Sequence, residues 1–532
     1  MEIVVSSKAA SSKEVVINSE AAASKEVVIS SEAASKEIVA SSKAASKEVD
    51  IPVKLVIDKE KERVVFAEAD GDFADILFSF LTLPMGTIVR LLANHSDQSE
   101  AEQLNIGNFN TLSRSVRNLD AKYFVTDVSK DLLANTKNFA EYQCQRLKIN
   151  IDDTEPADYF ICPNLGCTVD QDFPSLSTCN VAKCRQCREY LNMPIRYEDE
   201  YPRESNDGVF FAQTASFIVT DDLNVFPNTV GSVLEILDTA GISDFGVLEE
   251  TTVQFGSHEI LELLKYSILS KTPLTDMFFG KKDIVKDIVP APSSQCQINT
   301  AHINDFRNKT VKVVVQKSTK KILLAQAAED FVEFLFGFLA MPLGRIVTFL
   351  GESFSSNGTV ENLHNSLSNL DVGRHFKFDA LRNFLLYPEM DFGSYHSLYF
   401  RVEWSRDFYY GSKSDCSEVE EETFYLTRKV GPVMKVEHPK EYVRGPTMFL
   451  VTDDLVVTPF SSMSCITYLH SLKVSPGDVE EHEINIGPEE ALNILRACMI
   501  STSVLNNGLK SFMPKENGSR SFNLFPPCIP RN

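Results

Sequence analysis

The 532 residues carry 52 Lys and Arg against 74 Asp and Glu, a formal net charge of -22, and that field repels nucleic acid and acidic membrane surfaces alike. A hydrophobic fraction of 43% and a charged fraction of 24% are ordinary globular usage, enough to bury sizeable cores. The longest uncharged apolar stretch, 76–89, is cut by Leu83-Pro84-Met85-Gly86 and closed by Arg90, too short for the roughly 20 residues of a span, so no membrane is expected.

Residues 1–50 contain no Gly, Pro or aromatic residue, and the phrase Ser12-Lys13-Glu14-Val15-Val16 returns in close variants at Ser24, Ser35 and Ser46. Adjacent Val pairs among Ser and Ala supply no continuous apolar stripe, which predicts a low-complexity, disordered tail. No charged segment followed by an apolar core and a cleavage site opens the chain. The expected location is therefore intracellular, cytoplasmic or nuclear. In a reducing compartment the eleven cysteines are expected to be free, metal-bound or redox-active, not paired in structural disulfides.

Beyond the tail, 53–57 and 63–67 are β-branched runs around the charged turn Asp58-Lys59-Glu60-Lys61, which predicts a hairpin. Asp72 is the expected N-cap of a helix burying Phe73, Ile76, Leu77, Phe80 and Leu81, and Leu83-Pro84-Met85-Gly86 breaks that helix before 88–92 continues it. Farther on come a strand over 217–220, a turn at Asp221-Asp222, a helix from about Val230 ended by Gly241, a strand near 252–255 and a helix over 258–269. A polar segment of about 281–310, containing Pro290-Ala291-Pro292-Ser293-Ser294, reads as a linker.

Much of this then recurs. Residues 53–93 align without a gap on 311–351 at an offset of 258, with 17 of 41 positions identical, including Asp72-Phe73 with Asp330-Phe331, Pro84 with Pro342 and Gly86 with Gly344. Val219-Thr220-Asp221-Asp222-Leu223 matches Val451-Thr452-Asp453-Asp454-Leu455, and Gly256 and Glu259 match Gly487 and Glu490. The expectation is a tandem duplication of one α+β domain of mixed hairpins and helices. The copies span 51–280 and 311–510 on either side of the linker, and 511–532 form a C-terminal tail.

Five cysteines fall in a loop over 162–187. Cys162 and Cys167 form one close pair and Cys184 and Cys187 another, while Cys179 is a spare or a substitute. Thiolates a few residues apart in tight turns can converge on one tetrahedral Zn²⁺, whose bonds then order a loop with little apolar material of its own. The spacing favours one structural zinc per chain over free thiols or a redox Cys-x-x-C pair. Four thiolates leave no open position for catalysis. The second copy has a single cysteine here, Cys416, so the loop belongs to the first copy alone.

The hairpin opening with Val53-Lys54-Leu55-Val56, the broken helix over 73–90, the Val219-Thr220-Asp221-Asp222 block and the Leu269-Ser270-Lys271-Thr272-Pro273-Leu274-Thr275-Asp276 segment together resemble the plant family called domain of unknown function 674, in two copies over about 51–510. The resemblance implies a plant source and a fold unit, and no activity, cofactor or partner. No catalytic motif appears: the chain has no phosphate-binding glycine loop, nucleophile elbow or His-Glu-x-x-His. The expected function is non-catalytic and acts through an unidentified protein partner. The alternative is an enzyme whose site lies between the copies and uses Asp221, Asp222, Asp453 and Asp454.

Overall fold

A computed structural model describes residues 49–95, 106–154 except 139, 159–164, 167, 175–177, 180, 183–184, 186–199, 208–280 except 213, 306–351, 358–386 except 377 and 378, 400–402, 425–428, 434–435 and 442–509. Nearly all of the expected tails, 1–50 and 511–532, and most of the linker 281–310 lie outside these residues.

The first half opens with β1 (Ile51–Asp58) and β2 (Arg63–Asp70), the expected hairpin. It continues through α1 (Gly71–Ser79), α2 (Met85–His95), α3 (Phe109–Asn118), α4 (Asp127–Ala134) and α5 (Glu141–Cys144). After β3 (Tyr159–Ile161), β4 (Ser175–Ser177) and β5 (Met193–Asp199) it returns as β6 (Ser216–Thr220) and β7 (Val225–Pro227). It closes with α6 (Val230–Thr239), β8 (Leu248–Phe255), α7 (Ser257–Leu269) and α8 (Pro273–Phe279). The second half runs β9 (Lys309–Gln316), β10 (Lys321–Ala328), α9 (Glu329–Gly337), α10 (Leu343–Leu350), α11 (Thr359–Asn369) and α12 (Asp379–Leu386). Then follow β11 (Phe400–Val402), β12 (Tyr425–Arg428), β13 (Met434–Lys435), β14 (Met448–Thr452), β15 (Val457–Pro459), α13 (Ser462–Ser471), β16 (Val479–Ile486), α14 (Pro488–Ile500) and α15 (Val504–Leu509).

The fold is mixed helix and sheet, α+β. Two five-stranded antiparallel sheets have the orders β7-β6-β2-β1-β8 and β15-β14-β10-β9-β16, position for position the same. A third, six-stranded sheet, β12-β5-β3-β4-β11-β13, takes strands from both halves. The helix cap differs from expectation: Asp70, not Asp72, accepts the Phe73 N–H, because β2 runs straight into α1 and leaves Asp70 as the last extended residue. Gly241 ends α6 as expected, with a φ of 69° that a side chain would resist.

The broken helices meet each other. Pro84 and Pro342 form an antiparallel bridge in which Met85 N–H donates to Met341 O at 3.1 Å and Leu343 N–H to Leu83 O at 3.0 Å. Gly86 and Gly344 permit this approach, since a Cβ on either would stand 3.0 Å from a backbone carbonyl across the contact, Leu339 O or Leu81 O. A proline break that would orphan backbone groups inside one helix instead joins two.

Each half also lends a helix to the other. The Ser115 hydroxyl of α3 accepts from Val457 N–H of β15 at 3.0 Å, and the Ser366 hydroxyl of α11 accepts from Val225 N–H of β7 at 2.9 Å. Ahead of α3, Asn108 N–H donates to Cys498 O and its amide to Ser501 O, while Thr359 at the start of α11 donates to Ser270 O. One apolar core runs through both halves, from Ile51 and Phe109 to Phe449 and Leu509. Gly107 lies at this seam with φ 53°, and a Cβ there would come within 2.0 Å of Cys498 O. Gly107→Ala is expected to lower stability by at least about 3 kcal/mol, read as a fall in the urea midpoint, because the obstacle is backbone and cannot rotate away.

A carboxylate ties each first helix to the segment leading into the strand that returns to its sheet, and in the first half that carboxylate is buried. Asp75 of α1 accepts N–H bonds from Val209, Phe210 and Phe211 at 2.5, 2.8 and 2.9 Å. At the aligned position in α9, Glu333 accepts Tyr442 N–H at 2.9 Å. Burial pushes the Asp75 carboxyl up to about 7 against the pull of its three amides. The folded value lies above the ordinary one of 3.8, so this contribution to stability is complete below about pH 4 and is lost as pH rises through about 7. Its full extent is on the order of 4 kcal/mol. In urea titrations at pH 4 to 8, wild type should lose stability relative to Asp75→Asn as pH rises; a constant difference would refute the assignment.

Candidate metal centre

The strand β3 delivers Cys162 directly at its end, and Cys167 follows in a tight turn closed by its own N–H donating to Asn164 O at 2.9 Å. The second pair is set by a hairpin just before β5: Lys183 bridges Tyr190, Cys184 N–H bonds Glu189 O, and Arg188 N–H bonds Cys184 O at 3.0 Å. Arg188 holds a φ of 68°, the left-handed residue that turns the chain back. Because β3 and β5 are antiparallel neighbours, both turns arrive at the same end of the sheet.

There the Sγ atoms of Cys162, Cys167, Cys184 and Cys187 all lie within 4.8 Å of one another, and those of Cys162 and Cys187 are 3.4 Å apart. Four sulfurs around a tetrahedral ion at a bond length near 2.3 Å are separated by about 3.8 Å, so the donor set fits a metal of that size. Among the described residues no other group of three or more His, Cys, Asp or Glu gathers in this way. The two cysteine pairs singled out by their spacing are thus brought together; the spare, Cys179, and the lone Cys416 of the second half lie outside the described residues.

Backbone amides already point at the sulfurs. Asn164 N–H donates to Cys162, and the N–H groups of Cys187 and Gln186 donate to Cys184. Burial works to raise Cys162, Cys167 and Cys184, yet at Cys184 the amide donors together with the neighbouring thiols of Cys162 and Cys187 outweigh it and hold that group below the ordinary thiol value. Cys167 is pushed up to about 11 by burial and by its sulfur neighbours, and Cys162 rises for the same reasons. Amides aimed at sulfur stabilise thiolate, whereas four clustered thiolates repel one another unless a cation neutralises them. Among the described residues, Leu191 joins Cys162, Cys167 and Cys184 as the further buried apolar residue of this cluster, which is separate from the main core.

The paired aspartates serve the fold. Asp221 accepts the N–H and hydroxyl of Thr275 at 2.8 and 2.6 Å, tying the β6–β7 turn to α8, and burial raises its carboxyl to about 6. Asp453 accepts Asn506 N–H at 2.9 Å, the same tie to α15. Asp222 and Asp454 accept from the Thr220 and Thr452 hydroxyls inside their own turns, the local bonding that short Asp loops favour. These turns hold Leu223 and Leu455 at φ 61° and 62° with their side chains fully buried, an unusual backbone for leucine that the aspartate bonds help to fix.

Lys183 and Arg188 beside the cysteines are exposed, with Lys183 Nζ 5.3 Å from the centre of the exposed Tyr190 ring; Arg185 lies outside the described residues. No helix among the described residues is long and apolar enough to cross a membrane. The family model described as protein of unknown function (DUF674) matches residues 47–489. No curated protein and no solved structure matches the chain.

Proposed function

The chain belongs to the DUF674 family, and we propose that it is a non-catalytic, intracellular plant protein that acts through protein contacts, with one structural zinc in its first half. The observation that carries the zinc is the convergence of four thiols on turns whose amides already face sulfur. Such a site is closed, so the ion acts as a staple for a cysteine cluster whose further buried apolar residue, among the described residues, is Leu191. The tandem duplication belongs to the same reading, supported by the gapless alignment of 53–93 on 311–351 and by the matching order of the two five-stranded sheets.

Metal analysis of the purified chain after expression in zinc-supplied cells should find one zinc per chain. A metal-free protein with all four thiols titratable would end the zinc reading. For the partner, capture from plant tissue with the full chain and with a chain lacking residues 1–50 should recover the same protein if the folded part makes the contact; recovery by neither chain would remove the support for action through protein contacts.

A further inference from the structure

The outer faces of the two five-stranded sheets are covered differently. In the first half α6 lies against its sheet: Ile236 and Leu237 are buried with Val65, Phe66 and Ile218, and Phe226 packs against them. In the second half α13 has no buried residue, and a cavity of about 840 Å³ lies between it and the sheet, with Ile322, Leu323, Leu450, Val456 and Met463 in its wall. The aligned residues account for the difference. Thr458 stands where β7 has Phe226, and Leu324 where β2 has Phe66, so two phenyl rings that fill the first interface have no counterpart in the second. Thr458 itself lines the cavity, whose volume falls in the ~300–1,000 Å³ of small-molecule pockets.

The polar groups of the cavity have a direction. Asp453, Asp454 and Tyr468 line it together. Burial and the two carboxylates push the Tyr468 phenol up to about 12, so it remains a neutral hydrogen-bond donor. In the first half the Asp222 carboxylate is engaged by the amides of Asn224 and Asn362. In the second, Val456 replaces that first asparagine, and among the described residues Asp454 accepts only from Thr452. Lys321 is also in the wall, one cation against two carboxylates, which leaves the balance in favour of a positive ligand group.

We propose that this cavity binds a small aromatic amine, its ring in the space that Phe226 fills in the first half and its ammonium group at Asp454. The probe is phenylbutylamine, with phenylpentanoate as the anionic comparator, each titrated into the full chain and followed by ligand-observed NMR. The amine should bind saturably at one site per chain and at least tenfold more tightly than the acid. Thr458→Phe, which restores the ring of the first half, should weaken amine binding at least tenfold while leaving the urea midpoint in place, and Asp454→Asn should erase the preference for amine over acid. No saturable binding of the amine, equal binding of both probes, or binding untouched by Thr458→Phe would each overturn the proposal. So would binding that appears only in a chain ending at residue 509, since the occupant would then be the chain's own segment 510–532.

Discussion

A chain ending at residue 280 is expected not to fold on its own. The sequence repeat invites the opposite expectation, because residues 51–280 contain a full set of hairpins, sheet strands and helices. Yet in that fragment α3 would lose β15, on which it packs, and β7 would lose α11. The bridge between Pro84 and Pro342 would leave Met85 N–H and Leu83 O without partners, and Phe109, Leu112 and Val116, each fully buried, would lose part of the core they share with the second half. Full burial of one such side chain is worth about 1.5–3 kcal/mol, so re-exposing three or four removes an amount comparable to a typical margin of about 5–15 kcal/mol. Circular dichroism and urea titration should show no cooperative transition for 51–280 alone, and co-expression with 306–532 should restore one. A fragment that unfolds cooperatively as a monomer would show that the exchanged helices are ornamental.

Cys184→Ser is expected to abolish metal binding and to release the loop around 159–199 while sparing the main core. Structural zinc sites bind with about 10 kcal/mol or more of apparent free energy, and removing one of four ligands forfeits most of it. Cys184 is the informative choice because its sulfur already receives two amide bonds, so it would anchor the second turn as well as an ion. The cysteine cluster is packed separately from the core that links the halves. Limited proteolysis should therefore cut the variant between residues 159 and 199, with the urea midpoint of the remainder little changed. Cys498→Ser supplies the converse: this thiol is fully buried in the main core, far in sequence from the cluster, and its loss should cost stability without touching metal content. Proteolytic patterns identical in wild type and Cys184→Ser would leave the metal without a structural role.

Local chemistry was legible where one element answers to one pattern. The hairpin around 58–61, the strands at 217–220 and near 252–255, the helix over 258–269 and the break at Leu83-Pro84-Met85-Gly86 all stand in the fold. Asp72 was misplaced as a cap by two residues because the strand before it is longer than its β-branched run suggests. The helices that cross between halves, α3 and α11, gave no warning. Their buried faces are ordinary amphipathic stripes, and a stripe reports that a face is covered without reporting by what.

The same limit governs the site. Two cysteine pairs at short spacing were readable as metal ligands, since tight turns place thiols a few residues apart on one side. That the pairs meet depends on β3 and β5 being neighbours, a matter of strand order. The buried Asp75 was invisible because its three donors lie more than 130 residues away in the chain. The cavity under α13 was equally hidden, because a threonine in place of a phenylalanine matters only once a helix faces it. By itself the sequence determined the hairpins, strands and helices with a clear local pattern, the likeness of 53–93 to 311–351 and the short spacing of the cysteine pairs, because each is carried by residues close together in the chain. The tertiary structure alone decided which half covers which, where the thiols converge and where space is left open, because these follow from packing between segments that are distant in the chain.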